Sequence, residues 1–120
     1  MTATSVETGT QDLVTIEVSG DSATPILTVV GEVDSSSAPA LRTRLDAVLD
    51  GGATTVTVDL HGVTFLDSAG LCVLAAAHRR AVRTGVRLRI LASSRAVVRP
   101  LQITGLFDLL DVVHQEIGAA

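Results

Sequence analysis

The chain has 120 residues, 47% of them apolar and 18% charged, with a formal net charge of −4. That is the length of one domain, and too apolar for a disordered segment. It has no lysine, tryptophan or tyrosine, one cysteine and two phenylalanines, which excludes a P-loop or Schiff-base lysine, an internal disulfide, a thiolate zinc cluster and a stacking groove for single-stranded nucleic acid.

Met1 to Thr10 has neither the basic start nor the apolar centre of a signal peptide, and no run approaches the ~20 apolar residues that cross a bilayer. The expectation is a cytoplasmic protein with no membrane association. Residues 1–11 read as a flexible tail ahead of one domain over residues 12–120. Leu13, Thr15 and Val18, around Ile16 and Glu17, read as a first strand. Gly20, Asp21, Ser22 and Pro25 make a turn into a second strand at Ile26 to Val30, its hairpin partner. Gly31-Glu32-Val33-Asp34 leads to three serines, 35 to 37, each a helix N-cap by type, with Pro39 in the first turn. Leu41, Leu45, Val48 and Leu49 then form one helical face, which Gly51-Gly52 ends.

Thr54 to Leu60 alternates and is β-branched, a third strand. Residues 61–67 read as a loop, with His61 solvated in it and Asp59 structural at the strand end. A helix follows from about Ser68 to Arg83, with a stripe of Leu71, Leu74, Ala75 and Val82, closed by Gly85. Val86 to Leu91 is a fourth strand. Ser93 or Ser94 caps a third helix over residues 95–104, which Pro100 either kinks or delays. A short turn and a last strand at Val112-Val113 complete the pattern. Strand–helix–parallel-strand units cross over right-handedly, so the expected fold is a small α/β domain. Its mixed four- to five-stranded sheet carries an N-terminal hairpin and packed helices.

Residues 79–99 hold seven arginines and no acid. Arg79, Arg80 and Arg83 fall where a helix ends and oppose its macrodipole, and Arg87 and Arg89 alternate with Val86, Leu88 and Ile90 as on a strand with one wet face. This is a solvated face, and no nucleic-acid partner is expected.

The inventory excludes catalysis. His61, His78 and His114 lie in separate segments without metal-ligand spacing, so no metal and no cofactor is expected. Ser68 is not in a Gly-x-Ser-x-Gly elbow, and no Gly-rich phosphate loop follows a strand. Asp67 would fit a receiver's phosphoacceptor, but a receiver needs a lysine. The informative stretch is Leu66-Asp67-Ser68-Ala69-Gly70-Leu71, where a loop enters a helix. Ser68 read alone is an N-cap. Gly70 in a first helical turn costs about 1 kcal/mol against Ala, so a close approach of another backbone or of a partner is expected there. Cys72 reads as a packed small residue, with a redox-linked intermolecular disulfide as the other reading.

Gly31-Glu32-Val33-Asp34, then Val58-Asp59-Leu60, then Val63 to Leu71, then Thr104-Gly105-Leu106-Phe107 together resemble a bacterial anti-sigma factor antagonist, a member of the STAS domains, over about residues 13–113. The resemblance implies a non-enzymatic binding protein that captures an anti-sigma factor and so frees a sigma factor. That partner would be a serine kinase of the histidine-kinase-like ATPase fold. It would phosphorylate Ser68 and end the capture, and a PP2C-type phosphatase would restore it. Glu32, Asp34, Asp67, Ser68, Ala69, Gly70 and Leu71 would face the partner, with Asp34 also readable as a helix-flanking cap. The free chain would be a monomer. Position 69, often a second serine in the family, is Ala69 here, and Pro100 stands where an aliphatic residue is more common. Other STAS domains serve stressosome-like particles or lipid-transport accessories, the alternative reading.

Overall fold

The computed structural model describes residues 14–114. Leu13 and the boundary drawn at residue 12 lie outside the described residues. Five strands form one sheet in chain order: β1 (Val14–Ser19), β2 (Ile26–Val33), β3 (Thr55–Leu66), β4 (Arg87–Ala92) and β5 (Asp111–His114). β1 and β2 are antiparallel from Ser19↔Ile26 to Val14↔Gly31, and the other three pairings are parallel. The expected mixed sheet with its N-terminal hairpin is what the chain forms. In the hairpin turn, Asp21 Oδ1 accepts the N–H groups of Ala23 and Thr24 and the Thr24 hydroxyl at 2.9–3.0 Å, an Asx-type turn.

The helices are α1 (Ala38–Leu49), α2 (Ser68–Thr84), α3 (Arg95–Ile103) and the single turn α4 (Leu106–Leu109). They cover one face of the sheet. Leu27, Val29, Val56, Val58, Leu60, Leu88 and Ile90 point into that core and are buried. Thr15, Glu17 and Val30 on the other face are exposed, and Thr28, Thr57 and Arg89 are half-buried. This is a sheet packed on one side, with aliphatic residues in and mostly polar residues out.

Three details depart from the sequence reading. The loop placed at residues 61–67 is strand as far as Leu66. β3 keeps its pairing with β2 by inserting two extra residues, so its offset from β2 steps up between Thr28 and Val30 and again between Gly31 and Glu32. Strict alternation fails at such bulges, which is why period-two reading ends at Leu60. His61 is therefore a half-buried strand residue, its Nδ1 2.8 Å from Asp59 Oδ1. Asp59 also accepts the His61 N–H at 3.0 Å, the structural role expected of it.

The buried face of α2 is Gly70, Leu71, Val73, Leu74, Ala77 and Ala81, while Val82 is 66% exposed. Of the expected stripe, Leu71 and Leu74 are in the contact and Ala75 and Val82 are not. Ala77 and Ala81 take their place, small side chains that let α2 lie close to its neighbours. Finally, α3 starts at Arg95 and runs through Pro100 as one helix, so Pro100 does not delay it. Gly85, at φ 75°, closes α2 as expected.

Candidate functional site

β2 and β3 end side by side, with Val33 paired to Leu66. The next residue on β3, Asp67, donates its N–H to the Val33 carbonyl at 3.1 Å. Two turns thus leave adjacent strands at their C-terminal ends: Asp34 to Ser37, entering α1, and Asp67-Ser68, entering α2. The candidate residues from the two sequence blocks, 36 positions apart at Asp34 and Gly70, meet at this rim.

The first turn is built around Ser37, which is buried at 1% exposure. Its hydroxyl donates to the Glu32 carbonyl at 2.8 Å and accepts the Asp34 N–H at 2.9 Å. Asp34 Oδ1 in turn accepts the Ser36 hydroxyl at 2.7 Å, the Ser36 N–H at 2.9 Å and the Ser37 N–H at 3.2 Å. The Ser36 hydroxyl first, then these backbone donors, hold the Asp34 carboxyl below the ordinary aspartate value. Of the three serines, Ser37 takes the N-cap position of α1, without capping a helical N–H through its side chain. By residue type alone the three are equivalent caps. Ser37 is distinguished by its place beside the buried Ala38 and Leu41, a burial that serine tolerates only when both its donor and its acceptor are used.

The second turn places Asp67, not Ser68, at the N-cap of α2. Asp67 Oδ1 accepts the N–H of Ala69 at 2.9 Å and of Gly70 at 3.3 Å. Ser68 is the first helical residue and is exposed. Reading Ser68 as the cap was off by one position: an Asp-Ser pair offers two good caps, and Asp67 is the one that has the extended backbone of an N-cap and accepts the free N–H groups. Among the described residues the Ser68 hydroxyl has no hydrogen-bond partner.

Gly70 is buried because there is no room for more. A Cβ there would lie 2.5 Å from Leu66 Cδ1 and 2.7 Å from Val33 Cγ1. The close approach expected at Gly70 is real, but it is made by two side chains of this chain rather than by a backbone or a partner. Leu71 likewise belongs to the core at 8% exposure. Glu32 and Ser68 are exposed and Asp34, Asp67 and Ala69 half-buried, so these five reach the surface while Gly70 and Leu71 lie beneath it.

Cys72 is exposed, not packed. It lies one helical turn beyond Ser68 and shares its face. The arginine-rich stretch is dispersed: Arg80 is bonded to Asp46 and Asp50, and Arg87 Nε lies 3.1 Å from Asp111. Among the described residues no group of three His, Cys, Asp or Glu side chains is placed to hold a metal ion, and none of their helices is long and apolar enough to cross a membrane.

The STAS domain family model matches residues 15–120. Curated relatives include the anti-sigma-F factor antagonist RsfB of Mycobacterium tuberculosis, 30% identical over 86% of either chain. The anti-sigma-B factor antagonist of Bacillus subtilis is 32% identical over 75% of this chain and 82% of its own. Among solved structures, an anti-sigma factor antagonist from Mycobacterium paratuberculosis superposes with a TM-score of 0.79 at 29% identity, covering 88% of this chain and 89% of that one. The Bacillus cell fate determinant SpoIIAA in its phosphorylated form gives 0.65 at 19% identity, over 83% and 92%, a likeness of fold alone. The four sequence blocks, the fold and these matches agree: the chain belongs to the STAS domain family, and the curated relatives named above are anti-sigma factor antagonists.

Proposed function

We propose that this chain is an anti-sigma factor antagonist whose hold on its partner is switched by phosphorylation of Ser68. The observation that carries the reading is the Ser68 hydroxyl itself, exposed on the first turn of α2, spared from capping by Asp67, and set where the two turns meet. The names of the relatives supply the partner class, an anti-sigma factor, and SpoIIAA of the same fold has been solved phosphorylated. In this reading the unmodified rim of Glu32, Asp34, Asp67, Ser68 and Ala69, backed by Gly70 and Leu71, docks an anti-sigma factor that is also a serine kinase with a histidine-kinase-like ATPase fold. The kinase transfers the γ-phosphoryl of ATP to Ser68 Oγ, releasing ADP and the hydroxyl proton. A PP2C-type phosphatase reverses the modification. The chain acts as a substrate and binding module, monomeric when free and cytoplasmic.

The physics of the switch is local. A phosphate brings about −1.5 to −2 charges at neutral pH. At Ser68 it meets the positive end of α2, so the fold tolerates it. A docked partner instead faces that charge added to three nearby carboxylates. A loss of ~3 kcal/mol weakens binding more than a hundredfold, with no refolding required.

The test is to incubate the chain with purified ATPase-domain anti-sigma factors and ATP, then to map the phosphate by mass spectrometry. One phosphate on Ser68 is expected. Phosphate found on Ser35, Ser36 or Ser93 and never on Ser68 rejects the site. A chain that runs as a large homomeric particle and accepts no phosphate rejects the function.

A further inference from the structure

The second bulge of β3 does something that pairing alone does not require. Val63 and Leu66 point into the core at 1% and 5% exposure, and between them two residues, Thr64 and Phe65, both face outward. A regular strand has one outward residue between two inward ones. Here the step in register from Gly31↔Val63 to Glu32↔Phe65 supplies the extra one. The result is a phenylalanine 48% exposed on the open face of the sheet, two residues from Asp67 and three from Ser68. Bulges beside functional sites commonly re-aim a side chain in this way. The other phenylalanine, Phe107, packs against the core.

Acidic residues flank Phe65 on its own strand pair, while an arginine, Arg95, follows Ser94, whose hydroxyl lies 3.5 Å from the Val63 carbonyl. Glu32 is its partner across the strand pair, and Asp34 and Asp67 follow on the two turns. Residues 26–41 and 55–71 contain no arginine or lysine. On the same face, Val30 is also 48% exposed. Three apolar side chains are more exposed than Phe65: Val82 on α2, Ile103 on α3 and Leu109 on α4. Val82 is followed by Arg83, Ile103 has no acidic residue within four positions, and Leu109 lies beside an Asp111 already paired with Arg87.

We propose that Phe65 is the apolar anchor of the docking surface, received by an apolar socket with a cationic border on the anti-sigma kinase. The footprint of that partner then runs from the Ser68 turn onto the open sheet face, toward Val30, rather than along α2. Phe65 holds the chain three residues from the phosphoacceptor and so presents Ser68 to the bound ATP. This inference rests on the reading of Ser68 as the kinase's target.

The test uses the full-length chain and the anti-sigma kinase that phosphorylates it, titrated without ATP. Phe65→Ala is expected to weaken binding at least about tenfold while leaving the melting curve in place. With ATP it should raise KM for phosphorylation at Ser68 and leave kcat unchanged. Phe65→Thr, which keeps a β-branched residue on the strand, is expected to match it, and Phe65→Leu to recover part of the affinity. Val82→Ala and Ile103→Ala are expected to bind as wild type. If Phe65→Ala and Phe65→Thr bind as tightly as wild type, or if Val82→Ala weakens binding as much, the anchor is wrong, and phosphorylation at Ser68 leaves the switch standing. If the wild-type chain forms no complex and takes no phosphate, the functional reading falls and the anchor with it.

Discussion

The N–H of Ala69 donates to the Asp67 carboxylate at 2.9 Å, which makes Asp67 the residue that opens α2 and leaves Ser68 free of structural duty. The two side chains therefore separate under mutation. Asp67→Ala should lower stability by about 0.5–2 kcal/mol, the usual range for a lost N-cap, while Asp67→Asn should retain most of it. Ser68→Ala should stay within about 0.5 kcal/mol of wild type, as for a surface position without a partner. Denaturant midpoints of the three variants check this. A loss at Ser68→Ala equal to that at Asp67→Ala would return the cap to Ser68.

Most of the fold was legible because its signals are local. The alternation of Val56, Val58 and Leu60, the i, i+4, i+8 spacing of Leu41, Leu45 and Leu49, and Gly85 after α2 each report one element through one period or one terminator. The rim was legible as two blocks, but not as a meeting place. That depends on the parallel pairing of Val33 with Leu66, which leaves no mark in either segment alone. What escaped was set by packing. The two outward pairs in β3, His61-Gly62 and Thr64-Phe65, break the period that identifies a strand. Val82 and Cys72 read as packed from their apolar character, whereas the contact of α2, beyond Leu71 and Leu74, uses Val73, Ala77 and Ala81.

Gly70 should resist substitution for a reason opposite to helix propensity. Alanine would gain about 1 kcal/mol in a helix, but its Cβ would enter the space of Leu66 and Val33. Overpacking of that kind costs about 1–3 kcal/mol, so Gly70→Ala should be destabilising on balance. Combining it with Val33→Ala should recover part of the loss, a non-additivity that a double-mutant cycle measures. Simple additivity would mean that the clash relaxes elsewhere.

Cys72, exposed on the Ser68 face of α2, should react with a thiol reagent in the native protein. The expected result is one equivalent modified under native conditions, at a rate close to that in denaturant. A thiol that becomes reactive only on unfolding would restore the packed assignment. If the partner covers this part of α2, complex formation should slow the reaction. The docking footprint drawn through Phe65 predicts little slowing.

Acid should loosen the first turn before it affects the sheet. The Ser36 hydroxyl, followed by the Ser36 and Ser37 backbone donors, lowers the folded-state pKa of Asp34. A similar set led by the Thr24 N–H lowers that of Asp21 in the hairpin turn. A carboxyl with a depressed folded pKa contributes stability above its unfolded pKa and loses it as pH falls through the folded value. Stability should thus decline on acidification through the carboxylate range, and Asp34→Asn should show a shallower decline than wild type. Carboxyl NMR titration should place Asp34 below an ordinary aspartate. An Asp34 that titrates at or above the ordinary value would mean that the Ser36 and Ser37 contacts do not persist in solution.

Ser68→Asp separates folding from recognition at a single position. The new carboxylate joins the first turn of α2, where the helix dipole favours negative charge by about 0.3–1 kcal/mol. The neighbouring Asp67 offsets part of that gain, so the melting temperature should hold or rise slightly. The same charge lies on the rim beside Asp67, where a docked partner must desolvate it, so affinity for the anti-sigma factor should fall. Ser68→Ala should bind as unmodified wild type and keep doing so in the presence of ATP, because the acceptor hydroxyl is gone. Stability should therefore run from Asp down to Ala, and affinity in the reverse order. If Ser68 served only the helix terminus, affinity would follow stability and the aspartate variant would bind at least as well. Melting curves and a titration against the anti-sigma partner distinguish the two orders, and phosphorylated wild type is the reference, since one carboxylate carries less charge than a phosphate.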